Sequence, residues 1–221
     1  GAGLKEIKEG TAVYTKNGEE DTLDGDAILL ATGRGPNTEG LHAERACVEL
    51  TKRGAVVTDK HLRTTAENIW AAGDVCGNLQ FTYISLDDSR IILSDMQGDG
   101  SRTTENRGAF AYSVFMEPSF SRAGLSEKEA ADKGMNYRVV RMNTDMIPKA
   151  KVLRKTTGML KAVIDKDSGK IFGAALFCPE SYEIINMVKL AMDHDLDYTV
   201  LRDFIYTHPT MSEGLNDLFA L

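Results

Sequence analysis

The sequence is poor in the residues that build metal sites and disulfide frameworks. Its 221 residues include only three cysteines and four histidines. Cys47, Cys76 and Cys178 are widely spaced, and neither a C-x-x-C nor a C-x-x-x-x-C pattern occurs. An odd, scattered set of this kind is no disulfide framework, and with so few histidines it makes no zinc site. It suits a reducing compartment, so a cytoplasmic location is expected, with each cysteine read as a small buried side chain rather than a reactive one. No apolar run approaches the roughly 18 residues of a membrane helix, and no secretory leader is visible after Gly1-Ala2-Gly3-Leu4-Lys5. Basic excess is missing as well. The formal net charge is -7, which argues against nucleic acid or an anionic membrane as a partner. There is no internal repeat and no low-complexity segment.

What is present is a 42% hydrophobic chain, enough for one large or two small cores. The first residue is Gly rather than Met, which fits a tag scar on a complete protein or a chain that begins inside a longer product.

The first part reads as strands. Lys5 to Lys8 and Thr11 to Thr15 flank turn residues, and Asn17-Gly18 signals a hairpin. Asp26 to Ala31 is a short apolar run stopped at Thr32-Gly33, the pattern of a strand buried on both faces. Ala55 to Val57 and Asn68 to Ala72 read as further strands, the second stopped by Gly73-Asp74. From Thr82 to Met96 the spacing turns helical, with Asp87 and Asp88 placed early, where the helix dipole favours acids. The polar stretch from Gly98 to Arg107 reads as a boundary.

Beyond it the pattern is α+β. Strands are expected at Ser113 to Met116, Tyr137 to Met142, Met159 to Ile164 and Ile171 to Phe177, the last two joined by a turn at Asp167-Ser168-Gly169. Ser126-Glu127-Lys128-Glu129 is a capping box opening a helix that ends near Gly134. Helices are expected over Glu180 to His194, with Ile184, Ile185, Val188 and Met192 on one face, over Thr199 to Phe204, and over Ser212 to Phe219.

Three constellations could carry chemistry. Ala31-Thr32-Gly33-Arg34 ends one strand, and a glycine there lets the backbone approach a planar ligand, although glycine after a strand is more often only a turn. Ala71-Ala72-Gly73-Asp74 ends another. Its carboxylate can accept hydrogen bonds from sugar or sugar-alcohol hydroxyls, or can merely cap its own turn. The helix opening near Thr82 would direct its N–H groups at an electron-rich carbonyl or anion. Near the C-terminus stands Thr207-His208-Pro209-Thr210-Met211-Ser212-Glu213. Histidine changes charge near neutral pH, and a neighbouring carboxylate orients the ring and stabilises the imidazolium. The same stretch from Thr210 to Glu213 also reads as a capping box, and the two readings stand level.

Three strings taken in order resemble the class I pyridine nucleotide-disulfide oxidoreductases, the group of dihydrolipoamide dehydrogenase, glutathione reductase and mercuric reductase. They are Asp26 to Thr38 (DAILLATGRGPNT), Thr64 to Val75 (TTAENIWAAGDV) and Thr207 to Glu213 (THPTMSE). Gln80 to Asp88 and the ending Leu215-Asn216-Asp217-Leu218-Phe219 further resemble the branch of reactive-chlorine-resistance and hypothiocyanite-reducing flavoproteins.

The resemblance implies a fold class and a layout: an α/β flavoprotein remnant followed by an α+β interface domain. Residues 1–32 would be the tail of an NAD(P)-binding domain, 33–107 the C-terminal part of an FAD-binding domain, and 108–221 the interface or dimerisation domain. It implies that Gly33, Gly73, Asp74 and Thr82 face FAD, with Asp74 holding its sugar-alcohol or phosphate-linked oxygens and Thr82 lying near the flavin C2 carbonyl. His208 and Glu213 would be the acid–base pair, serving the other subunit of a homodimer across a cis His208–Pro209 bond. The parent would pass hydride from NAD(P)H through FAD and a cysteine pair to a small disulfide or other oxidised substrate. The chain departs from the family pattern in lacking both that cysteine pair and the G-x-G-x-x-G fingerprint, since Gly33-Arg34-Gly35 is followed by Pro36-Asn37. Alone it is therefore expected to bind FAD weakly or not at all and to be inactive. Two other readings remain: a stand-alone dimerisation module, which would have no need of Gly73-Asp74 or His208-Glu213, and a flavoprotein oxidase or peroxidase using one cysteine, against which the His-Pro pair argues.

Overall fold

A computed structural model describes all 221 residues. The chain divides into two compact units, Gly1–Asp88 and Ser89–Leu221.

The first unit opens with three antiparallel strands in sequential order, β1 (Ala2–Lys8), β2 (Thr11–Lys16) and β3 (Glu19–Asp24). The β2–β3 turn is Asn17-Gly18, with φ of 55° and 87°, the paired left-handed geometry that Asn-Gly tolerates best in a two-residue hairpin. The expected run from Asp26 to Ala31 forms no strand. Ile28, Leu29 and Leu30 are 41%, 90% and 65% exposed. A strand buried on both faces needs neighbours on each side, and no segment of the chain pairs with this one. Ala55 to Val57 and Asn68 to Ala72 fall short of strands too, each making a single bridge, Leu50 with Val56 and Arg63 with Trp70. Ala43, Ala55, Val56 and Leu62 are buried in the loops around them. The Val56 N–H donates to the Val75 carbonyl at 2.9 Å, and the Ala71 N–H to the Leu62 carbonyl at 3.0 Å.

Helix α1 (Thr82–Gln97) forms where the helical spacing placed it. Its first turn carries no acid. Asp87 and Asp88 come later, both buried, so the dipole does not explain them.

The second unit is a five-stranded antiparallel sheet in the order β4 (Ala111–Val114), β5 (Phe120–Gly124), β8 (Ile171–Phe177), β7 (Met159–Asp165) and β6 (Tyr137–Asn143). β4 starts two residues earlier than the sequence suggested and stops before Phe115, which is fully exposed. β5 was unexpected, because its alternation rests on Ser121 and Ala123 rather than on large apolar residues. The β7–β8 hairpin turns where expected, with Gly169 at φ 72°. α2 (Glu127–Asp132) carries the full capping box: Ser126 Oγ accepts from the Glu129 N–H, and the Glu129 carboxylate accepts from the Ser126 N–H at 2.7 Å. α3 (Pro148–Leu153) has Pro at its first turn, where the missing N–H costs nothing. α4 (Ser181–Asp193) buries Ile184, Ile185 and Val188 against the sheet. Met192, expected on that stripe, is partly buried beside it. α5 (Tyr198–Asp203) is capped by Asp197, and α6 (Gly214–Ala220) buries Leu215, Leu218 and Phe219.

Candidate functional site

The first unit brings Gly73, Asp74 and the start of α1 together. Residues Gly73–Cys76 form a 3₁₀ turn. Gly73 is buried at φ 75°, and a Cβ there would lie 2.8 Å from Ser85 Oγ. Its N–H donates to the Asp88 carboxylate at 2.8 Å. The turn therefore lies directly on the first two turns of α1, and a Cβ at position 73 would have to displace the Ser85 hydroxyl. Asp74, next in sequence, stays exposed, as does Thr82 at the first position of α1. An open carboxylate on a pinned turn and a 16-residue helix N-terminus suit a ligand that offers hydroxyls to the first and an electron-rich carbonyl to the second. Gly33, at φ 100°, has no other atom within 4 Å of where its Cβ would be. It leaves open space for a flat ligand, but it follows no strand.

The second unit holds the other pair. His208 Nδ1 lies 2.9 Å from Glu213 Oε2, and the His208–Pro209 peptide is cis. A carboxylate oxygen accepts, so Nδ1 carries the hydrogen and Nε2 presents a lone pair. The imidazole is 72% exposed and the Glu213 side chain 13%. A largely sheltered acceptor thus holds a ring that faces outward. The same Oε2 also receives the Thr210 N–H at 3.4 Å, while Thr210 Oγ1 donates to the Thr207 carbonyl at 2.8 Å. The capping reading survives in half: Glu213 reaches back as a capping box requires, yet Thr210 spends its hydroxyl elsewhere and α6 begins only at Gly214. Glu213 Oε1 is buried without a hydrogen-bond partner, so a single oxygen meets both groups.

Two of the three cysteines are buried. Burial, with Asp88 nearby, pushes the Cys76 thiol up to about 11. Burial, with Glu180 nearby, pushes Cys178 up to about 12. Neither is a nucleophile near neutral pH. Cys47 is exposed, against the expectation of burial: it follows a short 3₁₀ turn in left-handed backbone. No group of His, Cys, Asp and Glu side chains is arranged to hold a metal ion, and no helix is long and apolar enough to cross a membrane. Asp88, which ties down Gly73, escaped the sequence because nothing local marks a contact 15 residues away.

Two family models account for most of the residues. The model of the pyridine nucleotide-disulphide oxidoreductase dimerisation domain matches 110–219, and the model of pyridine nucleotide-disulphide oxidoreductase matches 1–89. The chain belongs to the pyridine nucleotide-disulphide oxidoreductase family. It is 51% identical over 203 residues to the "Probable pyridine nucleotide-disulfide oxidoreductase RclA" of Escherichia coli, covering 92% of this chain and 46% of that protein. It is 35% identical over 207 residues to a mercuric reductase of Staphylococcus aureus, covering 93% and 38%. The solved HOCl-induced flavoprotein disulfide reductase RclA from Escherichia coli superposes with a TM-score of 0.86 at 48% identity, over 97% of this chain and 49% of that one. The chain therefore spans less than half the length of these curated relatives, and its place is within an enzyme family whose likeness extends to the RclA branch.

Proposed function

We propose that the chain is the C-terminal portion of an FAD-dependent NAD(P)H:disulfide oxidoreductase that works as a homodimer on a small disulfide or other oxidised substrate in the cytoplasm. In this reading residues 1–32 close the NAD(P)-binding domain, 33–107 complete the FAD-binding domain, and 108–221 form the dimer interface. The 2.9 Å bond between His208 and Glu213 is the observation that carries it. A module that only dimerised would have no use for an exposed imidazole held in one tautomer by a sheltered carboxylate.

The residues fit part of a flavin site. Asp74 would accept from sugar-alcohol hydroxyls, Gly33 would let the backbone approach a flat ring, and the α1 N-terminus at Thr82 would favour negative charge on a facing carbonyl. Bound there, the flavin supplies the two-electron relay between pyridine nucleotide and disulfide. His208 then handles the proton. With Nδ1–H given to Glu213, Nε2 takes a proton from an attacking thiol, and the imidazolium returns it to a leaving thiolate. Glu213 stabilises the charged ring between the two events. The G-x-G-x-x-G phosphate cradle and the cysteine pair are supplied from outside these 221 residues, so this chain alone binds FAD weakly or not at all.

The test compares the chain with the full-length enzyme that contains it. The full-length protein should hold FAD through gel filtration and reduce a disulfide with NAD(P)H, whereas the 221-residue chain should emerge colourless and dimeric. Stoichiometric flavin on the chain alone, or a monomer at high micromolar concentration in the ultracentrifuge, would count against this division of labour.

A further inference from the structure

Packing holds the approach to His208 at Tyr206, which lies partly buried against the core and donates its hydroxyl to the Leu201 carbonyl at 3.1 Å. The segment that delivers the histidine, Phe204 to Thr207, belongs to no sheet. Phe204 is exposed and Ile205 is 92% exposed. An imidazole that is itself mostly open to solvent needs its backbone fixed at further points besides Tyr206 if Nδ1 is to stay on Glu213.

The hydrogen bonds supply the fixture. Asn216 Nδ2 lies 3.2 Å from the Leu201 carbonyl, 2.6 Å from that of Arg202 and 3.0 Å from that of Phe204. The first two belong to the last turn of α5, where carbonyls lack intrahelical partners. Phe204 is extended, with φ −65° and ψ 139°, so the chain does not fold back in a left-handed cap to cover them. One amide group with two hydrogens serves three acceptors, which requires a shared bond. Asn216 also stands three residues after Glu213, and residues at that spacing share a helix face. A single turn at the start of α6 thus carries the acceptor for His208 and the clamp on the chain leading into His208. Thr210 secures the other flank through its bonds to Thr207 and Glu213.

We propose that Asn216 is a positioning residue for the His208–Glu213 pair: its amide anchors the end of α5 and the approach to His208, and so sets the imidazole on the carboxylate. The hydrogen-bond consequence stands on geometry alone, whereas its effect on turnover rests on the acid–base reading above.

The experiment reads the tautomer of His208 directly. In the 221-residue chain labelled with ¹⁵N-histidine, at alkaline pH where the ring is neutral, the nitrogen shifts report the ratio of Nδ1–H to Nε2–H. Wild type should be dominated by Nδ1–H, and Glu213→Ala sets the opposite end of the scale. Asn216→Leu and Asn216→Asp, which both remove the donors, should lower the ratio by roughly three- to tenfold, on the scale of a partly lost charge-assisted hydrogen bond. Asn216→Ser, which keeps one donor, should fall between. Should Asn216→Leu fail to fold, the near-isosteric Asn216→Asp carries the measurement. A folded Asn216→Asp chain with the wild-type ratio would overturn the proposal. A lowered ratio combined with undiminished turnover in full-length Asn216→Asp would leave the positioning intact and remove the acid–base reading instead.

Discussion

The backbone N–H of Gly73 donates to Asp88 across 2.8 Å, which joins the turn bearing Asp74 to the helix that opens at Thr82. Two elements expected to face one ligand are thereby held as one piece. Gly73 suits that join, since its φ of 75° disfavours a side chain and its missing Cβ leaves room for Ser85. Gly73→Ala should cost roughly 1–3 kcal/mol, the scale for a residue forced into a left-handed conformation. The urea midpoint of unfolding reads it, and a midpoint unchanged from wild type would mean that the turn relaxes freely.

In the full-length enzyme, His208→Ala should slow turnover by about 100- to 10,000-fold, the usual scale for losing a general acid–base. On the acid–base role proposed for His208, the loss should fall on the half of the cycle in which thiol and disulfide exchange. Rapid-mixing measurement of flavin reduction by NAD(P)H should give the wild-type rate. Slowing of that step instead, with exchange intact, would relocate the role of His208.

Thiol chemistry should sort the cysteines by burial. Iodoacetamide near neutral pH should modify Cys47, which is exposed, and spare Cys76 and Cys178, whose thiols are raised to about 11 and about 12 by burial. The thiolate is the reactive form, so labelling of the buried pair should appear only on denaturation or in strong alkali. Mass spectrometry of the digested protein counts the adducts, and equal labelling of all three in the native chain would contradict the burial.

Much of this was readable in advance, for identifiable reasons. Asn17-Gly18, the Ser126–Glu129 box and the stripe of Ile184, Ile185 and Val188 are local signals, each with one dominant structural solution. His208 and Glu213 lie five residues apart, near enough for sequence to pair them. The misreadings involve context. Ile28, Leu29 and Leu30 have the composition of a buried strand, but composition does not supply the neighbouring strands that burial needs. β5 was hidden because its inward residues, Ser121 and Ala123, are small. Ser121 is fully buried beneath Ser181, the two hydroxyls 2.9 Å apart, a polar contact no hydropathy pattern marks. Asp88 and Asn216 act across 12 to 15 residues, through contacts that exist only once the turns are folded.

The capping box of α2 gives a prediction with a defined pH window. The Ser126 hydroxyl and backbone N–H, followed by the Arg122 guanidinium, hold the Glu129 carboxyl well below the usual carboxylate range, at about 2. A depressed carboxylate stabilises the fold above its unfolded-state value, and that contribution fades as pH falls through the folded value. Ser126→Ala removes the hydroxyl that accepts from the Glu129 N–H, and should cost about 1 kcal/mol near neutral pH, the typical loss for an N-cap. Part of that difference depends on an ionised Glu129 leaning on the same turn. The gap between wild type and Ser126→Ala should therefore narrow as pH drops from the ordinary 4.5 toward about 2. Urea midpoints of the two proteins measured across that interval provide the check. A gap that stays constant would mean that the carboxylate contributes nothing to the cap, and that the serine hydroxyl works alone.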